Sequence, residues 1–357
     1  MNSRTPELSR LTLMCRDHEV AEFTWNHDRQ AVTSKTHVLD AAHAPLMATD
    51  PSGNITRDRL SSWFKNRGNA DLLASSPDAA LNGNLPKRWT IEGGQRMLVK
   101  SGRFSGRFQE PFNEKIASVL CSRLLDEGDY VAYELEDGGF MKWTSRCIPM
   151  TDQVTEFVPA WALLCSSKRP SDLGLHDFYL SACAAHGLDV REDVEKMLVI
   201  DYLMANFDRH WNNFGVLIDC ESREWLRAAP VFDTGEALWC DRELSQPFDG
   251  YTTPRAGMMR PFARKIDEQL GRYCRDLSWF DPSGLKGFSE EACDILLGNP
   301  FIANERGRID KIREAIDLRA MMLTRHAREV KHERGFTVPV PHADSTAQAD
   351  ARKRHHR

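Results

Sequence analysis

Two segments in the second half of the chain carry the residue types that phosphoryl transfer requires. The first contains Asp208 and Asn213, separated by Arg-His-Trp-Asn, and the second contains Asp233 in an Asp-Thr-Gly turn. Because Mg²⁺ prefers hard oxygen ligands, Asn213 and Asp233 are candidates to hold the metal that neutralises nucleotide phosphates. Asp208 can then face an incoming hydroxyl as the catalytic base. We therefore predict a site that transfers a phosphoryl group.

The same residue types also occur in ordinary surface turns, and an isolated Asp-x-x-x-x-Asn pattern arises often by chance. The context favours the catalytic interpretation. Apolar residues at spacings of three and four predict a helix over 193–207 that runs into the Asp208 loop, and strands are predicted at 214–218 and 225–231. His210 stands where kinases with Asp-x-Lys-x-x-Asn loops hold a cation close to the γ-phosphate.

A second group of polar residues lies upstream, where a nucleotide-binding half would be expected. An apolar strand ends at Lys100, and a strand can hold such an ammonium at phosphates. Gly83 and Lys87 lie in Leu-Asn-Gly-Asn-Leu-Pro-Lys, whose backbone can approach a phosphate. Glu114, in the first turn of a helix predicted over 111–125, is placed to pair with Lys100. Lys100 could instead be a solvated lysine, the Gly83 loop a plain turn, and Glu114 an acidic residue at a helix start without a partner. The order of the motifs along the chain favours an enzyme.

Together these motifs resemble the HipA-like serine/threonine kinases, bacterial toxin kinases that include short members of the CtkA type. The resemblance covers roughly residues 75–320. It implies an α+β, two-lobed protein-kinase-like fold with a small β-rich N-lobe and a larger helical C-lobe, and it implies ATP and Mg²⁺ as cofactors. The roles carried over are catalysis by Asp208, His210, Asn213 and Asp233, metal ligation by Asn213 and Asp233, and ATP binding by Gly83, Lys87, Lys100 and Glu114.

The resemblance also implies the acceptor and a partner. The acceptor is a protein serine or threonine hydroxyl, and a toxin kinase would have a translation-related target and a helix-turn-helix antitoxin partner. Two other functions stay open: a small-molecule phosphotransferase, and a non-catalytic ATP-binding or DNA-partner module. The module would be expected to have lost its ligands, whereas Lys100, Asp208, Asn213 and Asp233 are all present. Direct binding to nucleic acid or membrane is not expected.

One position departs from the family pattern. The phosphate loop of HipA carries a serine three residues before its glycine, and autophosphorylation there ejects the loop and silences the kinase. This chain has Ala80 at that position. The same switch therefore cannot operate in the same way, although Ser75 and Ser76 lie just upstream.

The chain divides into four predicted segments. Residues 1–70 form an N-terminal β-rich subdomain with strands at 11–15 and 20–25 and a helix at 56–66. Residues 71–150 form a kinase-like N-lobe that includes a strand pair at 130–135 and 140–147. Residues 151–335 form a helical C-lobe with the catalytic loop, and residues 336–357 form a disordered basic tail. The predicted C-lobe helices are 173–186, 193–207, 262–273, 289–297 and 306–331.

Composition is typical of a globular cytoplasmic protein. The chain has 357 residues, a hydrophobic content of 41% and a formal net charge of −5. No apolar run is long enough to span a membrane, and the first residues are polar, so no secretory signal is expected. The 9 cysteines are scattered without a Cys-x-x-Cys motif, and the 12 histidines have no paired metal spacing. We expect neither disulfides nor a metal site beyond Mg²⁺.

Overall fold

The first strands of the chain form a small antiparallel sheet. The computed structural model describes residues 7–15, 18–45, 48–50, 52–66, 87–137, 143–166, 168–248 and 261–335. Strands β1 (Leu8–Cys15) and β2 (His18–Asn26) pair antiparallel, as the sequence predicts. Two short strands, β3 (Ala31–Val32) and β4 (His37–Val38), both pair with β2. The central strand of this sheet is therefore β2.

One face of β2 is buried against the first helix. Phe23 and Trp25 alternate along the strand and are each 3% exposed, which places both on the same face. They belong to an apolar cluster with Leu60 of helix α1 (Arg57–Asn66). This cluster is separate from the larger apolar core, whose residues lie between Phe112 and Ala327.

The second sheet contains the predicted lysine strand. It consists of β5 (Lys87–Glu92), β6 (Gln95–Ser101), β7 (Tyr133–Asp137) and β8 (Trp143–Cys147), in the order β5-β6-β8-β7. All three pairings are antiparallel. Helix α2 (Glu110–Leu124) lies between β6 and β7 in the chain and packs against this sheet. The strand that ends near Lys100 and the helix that begins before Glu114 are thus both confirmed.

A glycine pair joins β5 to β6. Glu92 pairs with Gln95, so Gly93 and Gly94 form a two-residue hairpin loop, and both have positive φ angles (56° and 84°). Glycine adopts such angles without steric cost, which fixes the register of the hairpin. That register pairs Lys87 with Lys100. Lys87 is therefore the first residue of a strand beside the predicted phosphate lysine.

The third sheet follows the order β11-β10-β9, with β9 (Thr155–Pro159), β10 (Gly215–Asp219) and β11 (Trp225–Ala228). The prediction of a helical pattern from residue 151 onward is wrong for β9, which pairs with a strand far along the chain. Gly215 is needed at this pairing, because a Cβ there would lie 2.1 Å from the carbonyl oxygen of Val158.

Apart from β10 and β11, the regular elements described after β9 are helices. Their bounds are α3 (Ala160–Ser166), α4 (Leu175–Ala184), α5 (Arg191–Leu203), α6 (Ile266–Tyr273), α7 (Phe288–Leu297), α8 (Pro300–Ala303) and α9 (Arg308–Gly335). With α2 they enclose the larger apolar core. Short 3₁₀ turns cover Phe104–Gly106 and Pro282–Leu285.

The helix before the Asp208 loop ends earlier than its apolar pattern predicts. It was expected to reach residue 207, but α5 ends at Leu203, and Ala205 has a φ of 49°. The backbone after α5 bonds to the segment that follows Asp233: Leu238 N–H donates to the Met204 carbonyl (2.8 Å), and Phe207 N–H donates to the Glu236 carbonyl (3.1 Å). This pairing joins the two predicted catalytic segments.

The fold is a mixed α/β one, built of antiparallel sheets and separate helices. Among the described residues, no helix has the length and apolar character needed to cross a membrane. The 8 cysteines whose side chains the structure describes are free thiols.

Candidate active site

A buried ion cluster joins the second sheet, α2 and the Asp-Thr-Gly turn. Lys100, which is 4% exposed, donates from Nζ to Glu114 Oε1 (2.7 Å) and to Asp233 Oδ1 (2.7 Å). The Tyr133 hydroxyl lies 3.2 Å from the same nitrogen. Burial alone would lower the pKa of Lys100, but the carboxylates of Asp233 and Glu114 raise it well above its ordinary value. Lys100 is therefore a fixed positive charge.

The second oxygen of Glu114 holds the Asp-Thr-Gly turn. Glu114 Oε2 accepts from the Thr234 N–H (3.3 Å) and from the Thr234 hydroxyl (3.2 Å). Glu114 is 1% exposed, and a buried carboxylate needs such donors. The predicted pairing of Glu114 with Lys100 is thus present, and the same side chain also positions the residue after Asp233.

The turn itself packs closely on the start of α2. Asn113 donates through Nδ2 to the carbonyls of Gly235 (2.7 Å) and Ala237 (2.8 Å). A Cβ at Gly235 would lie 3.3 Å from the Cβ of Glu110, which is closer than most side chains tolerate. Asp233 has a φ of 56°, in the left-handed region that non-glycine residues seldom adopt. The backbone at Asp233 is therefore held in a strained conformation by contacts on either side.

The charge of Asp233 is set by two lysines. Burial would raise the pKa of its carboxyl group, but the ammonium groups of Lys100 and Lys87 outweigh that effect and hold the pKa well below the usual range. The side chain is 25% exposed. Asp233 is therefore an ionised carboxylate that is still partly open to solvent.

Lys87 lies on the same side of the cluster. Its pKa is lowered, chiefly by burial and in part by the charge of Lys100, while Asp233, Glu114 and Asp208 act in the opposite direction. The ammonium group of Lys87 therefore interacts electrostatically with all three predicted carboxylates, as expected of a lysine that faces the site.

A single buried arginine organises the Asp208 loop. Arg209, 1% exposed, forms two bonds to the carboxylate of Asp201 on α5, Nε to Oδ2 (2.9 Å) and Nη2 to Oδ1 (2.8 Å). Its Nη1 donates to the carbonyls of Asn213 and Phe232, each at 2.6 Å. The Arg209 side chain thus holds two predicted site segments together: the end of the Asp208 loop and the residue before Asp233.

Two asparagines complete the loop. Asn206 donates to Asp201 Oδ1 (2.8 Å) and accepts from the Asp208 N–H (3.1 Å). Asn213 donates through Nδ2 to the Asp208 carbonyl (3.0 Å), which joins the two ends of the loop. This hydrogen bond therefore fixes the distance between Asp208, the predicted base, and Asn213, the predicted metal ligand.

The surroundings of Asp208 disfavour the ionised form of its carboxyl group. Burial raises its pKa, the charge of nearby Asp233 raises it further, and His210 and Arg209 act in the opposite direction. His210 Nε2 lies 4.0 Å from Asp208 Oδ2, and its Nδ1 accepts from the Asn212 N–H (3.2 Å). The Asp208 side chain is 26% exposed, so a substrate hydroxyl can reach it.

The structure brings most of the predicted site residues together. Lys100, Glu114 and Asp233 are in direct contact, and Asp208, His210 and Asn213 share one loop that Arg209 joins to the residue before Asp233. Gly83, the center of the predicted phosphate loop, lies outside the described residues, as do Ala80, Ser75 and Ser76. Their roles stay predictions.

Four residues of the site were not found from the sequence: Asp201, Arg209, Asn113 and Tyr133. Asp201 is an acidic residue inside an otherwise apolar helix pattern, and Arg209 stands between two predicted site residues, so both carried a weak signal. Asn113 precedes Glu114 in the helix, where its role depends on a turn more than a hundred residues away. Nothing in the local sequence marks Tyr133.

Comparison with known proteins agrees with a kinase-like fold. No protein-family model and no curated protein sequence matches the chain. The chain is similar in structure to a Helicobacter pylori proinflammatory kinase, CtkA, with a TM-score of 0.53 and 17% sequence identity. The match covers 70% of this chain and 97% of that chain. At this identity the similarity concerns the fold.

Proposed function

We propose that the chain is an ATP- and Mg²⁺-dependent phosphotransferase, specifically a HipA-like protein serine/threonine kinase. The observation that carries the proposal is the buried contact of Lys100 with Glu114 and Asp233, at 2.7 Å each. A buried ion cluster contributes little net stability, because desolvation offsets the attraction between charges. A fixed cation beside an ionised metal-ligating carboxylate is what phosphoryl transfer requires.

The proposal includes the two-lobed arrangement. Residues 71–150 would be the N-lobe, which contains β5 to β8 and α2, and residues 151–335 the C-lobe with the catalytic loop. Residues 1–70 would be a separate subdomain. The separate apolar cluster around Phe23 and Leu60 supports this division.

The residues present fit Mg²⁺ and a nucleotide. Asp233 is an ionised carboxylate, and Asn213 uses its amide nitrogen on the Asp208 carbonyl, which leaves its amide oxygen as the atom for a cation. Bound Mg²⁺ would neutralise charge on the β- and γ-phosphates. Lys100, together with Lys87 from the paired strand, would bind the phosphates by charge.

In the proposed reaction Asp208 orients the acceptor and receives its proton. The hydroxyl oxygen bonds to the γ-phosphorus while the bond from that phosphorus to the bridging oxygen of ADP breaks. The hydroxyl proton passes to the Asp208 carboxylate, and ADP leaves with the bridging oxygen. Arg209 acts by holding the loop, since its donors reach the carbonyls of Asn213 and Phe232.

The acceptor and partner are part of the same proposal. The acceptor is the hydroxyl of a protein serine or threonine, and the partner is a helix-turn-helix antitoxin. Both rest on the resemblance of the catalytic loop, of Asp233 and of the upstream lysine and glutamate to HipA-like kinases.

Nucleotide binding tests the proposed site without requiring an acceptor. We expect the chain to bind a non-hydrolysable ATP analogue about tenfold or more tightly with Mg²⁺ than with EDTA, equal to about 1.4 kcal/mol or more. Asp233→Asn should remove this Mg²⁺ dependence, because the amide lacks the charge that holds the ion. Isothermal titration calorimetry measures both.

The matched control is Asp294→Asn, which changes an exposed aspartate on α7. It should keep the full Mg²⁺ dependence. An Asp233→Asn protein that still bound the analogue more tightly with Mg²⁺ would exclude Asp233 as the metal ligand.

The pH dependence of activity should report the environment of Asp208. The base must be ionised to accept a proton, and burial raises the pKa of Asp208. Activity is therefore lost as pH falls through a pKa above the ordinary aspartate value of about 4. His210 lowers the pKa of Asp208, so His210→Gln should move the acid limb of the kcat/KM profile to higher pH. A limb that stays in place would show that His210 does not act on Asp208.

A further inference from the structure

A second cluster of metal-binding side chains lies far from Asp208 in the chain. His18 begins β2, and Asp40 and His43 follow β4. His43 Nδ1 lies 2.6 Å from Asp40 Oδ2, and His18 Nδ1 lies 3.6 Å from the same oxygen. The two imidazole rings stack with centroids 3.9 Å apart. Both Nδ1 atoms therefore face one carboxylate.

The opposite nitrogens of both rings are held by one residue. His18 Nε2 lies 3.1 Å from the Glu221 carboxylate, and His43 Nε2 lies 3.2 Å from the Glu221 carbonyl. Histidines that bind metals usually donate their other ring N–H to a carboxylate or a backbone carbonyl, which fixes the tautomer and frees the remaining nitrogen for the metal. Glu221 supplies one acceptor of each kind.

The third ligand is also fixed in place. The backbone N–H groups of Leu39 and Asp40 both donate to the Val20 carbonyl on β2, at 2.9 and 3.1 Å. Asp40 Oδ1 accepts from the Ala42 N–H (3.0 Å), which leaves Oδ2 directed at the two imidazoles. The side chains of His18 and His43 are 36% and 13% exposed, so the group is partly shielded yet open to solvent ions.

We propose that this cluster binds a divalent transition-metal ion of the Zn²⁺ class through His18 Nδ1, His43 Nδ1 and the Asp40 carboxylate. Glu221 is a positioning residue, and water completes the coordination. Tetrahedral Zn²⁺ with bonds of about 2.0–2.2 Å separates its ligands by roughly 3.3–3.6 Å. The His18 to Asp40 distance already meets this value. As the metal replaces the shared proton, the His43 to Asp40 contact must widen by about 0.8 Å, and the stacked rings must tilt so that both lone pairs point at the ion.

The ligand chemistry separates this site from the proposed Mg²⁺ site. Imidazole nitrogen suits Zn²⁺, Cu²⁺ and Ni²⁺, whereas Mg²⁺ selects oxygen. The bound ion would also have a structural consequence. It would join the sheet around β2 to the turn at Glu221, and that turn follows β10, the strand that leaves Asn213 and the catalytic loop.

Metal binding to the full chain tests the site directly. After dialysis against EDTA, titration with Zn²⁺ should fill one tight site per chain, and Co²⁺ should give a visible absorption typical of low coordination number. The double variant His18→Ala/His43→Ala should weaken this binding by about 100-fold or more. Glu221→Gln should weaken it by about 10–100-fold, the usual effect of losing an outer partner of a ligand.

Two controls separate this site from other histidines. His37→Ala removes an exposed histidine of β4 that faces Glu22, and His355→Ala/His356→Ala removes the pair near the C-terminus. Both should retain the tight site. Equal thermal unfolding midpoints in EDTA check that the variants fold.

Each contrary result would overturn the proposal. Absence of a tight site in the parent chain would do so, as would unchanged affinity in the His18→Ala/His43→Ala protein. Loss of the tight site in either control would assign the metal elsewhere. Because the readout is metal affinity, none of these outcomes depends on whether the chain transfers phosphate.

Discussion

Asp208→Asn lowers kcat/KM for phosphoryl transfer by about 10²–10⁴-fold, the range expected when a general base is removed. An asparagine can still contact the acceptor hydroxyl but cannot accept its proton at neutral pH. Nucleotide binding should be unchanged, because Asp208 faces the acceptor and the metal is assigned to Asn213 and Asp233. Initial rates of ADP release, measured with saturating ATP and with acceptor well below its KM, give the ratio of the two kcat/KM values.

The same substitution should not destabilise the chain. Burial raises the pKa of Asp208, so the folded protein disfavours its charge, and a neutral amide of the same shape removes that cost. Asp294→Asn, on the surface of α7, serves as the control and should keep the parent rate. If Asp208→Asn retained the parent kcat/KM while still folded, Asp208 could not be the base.

Arg209→Met should lower the free energy of unfolding by about 3–5 kcal/mol, the cost of removing one partner of a buried ion pair. The change leaves the Asp201 carboxylate without the guanidinium that binds it at 2.8 and 2.9 Å. It also removes the donor to the carbonyls of Asn213 and Phe232. Urea unfolding measures the loss.

Two further variants test whether the broken ion pair with Asp201 causes the loss of stability. Arg325→Leu removes an exposed arginine that pairs with Glu329 on α9, and it should leave the free energy of unfolding close to that of the parent chain. Adding Asp201→Leu to Arg209→Met should recover part of the stability, because no buried charge is then left unpaired. A loss of less than about 1 kcal/mol in Arg209→Met would contradict the central position given to this residue.

Local sequence patterns predicted the parts of the site that depend on local structure. The apolar strand ending at Lys100 and the helix around Glu114 follow from periodicity, and both side chains occupy the predicted positions. The Asp208 loop and the Asp233 turn follow from their motifs. These predictions succeeded because neighbouring residues determine strand, helix and turn.

The features that local sequence patterns did not predict depend on contacts between residues far apart in the chain. Strand β9 owes its conformation to pairing with β10, whose residues lie far along the chain. Helix α5 ends at Leu203, and the residues after it bond to the segment that follows Asp233, which is far along the chain. Arg209 is a loop arginine in sequence, and only the fold places its guanidinium among Asp201 and two carbonyls.

The histidine cluster is the clearest case of this limit. His18 begins β2 and His43 follows β4, while Glu221 lies far along the chain in the turn between β10 and β11. No fixed spacing joins them, so the expectation of no metal site beyond Mg²⁺ followed from an absence of local motifs. Tertiary structure alone brings the four side chains together.

The most direct test of the proposed function is transfer of labelled phosphate from [γ-³²P]ATP with Mg²⁺, followed by identification of the labelled product. We predict label on protein serine or threonine in the parent chain, none with EDTA, and labelling slowed by at least about 100-fold with Asp208→Asn. Label on a small metabolite with no labelled protein would favour a small-molecule phosphotransferase. ATP binding without any transfer, or transfer at the parent rate in Asp208→Asn, would contradict the proposed kinase site.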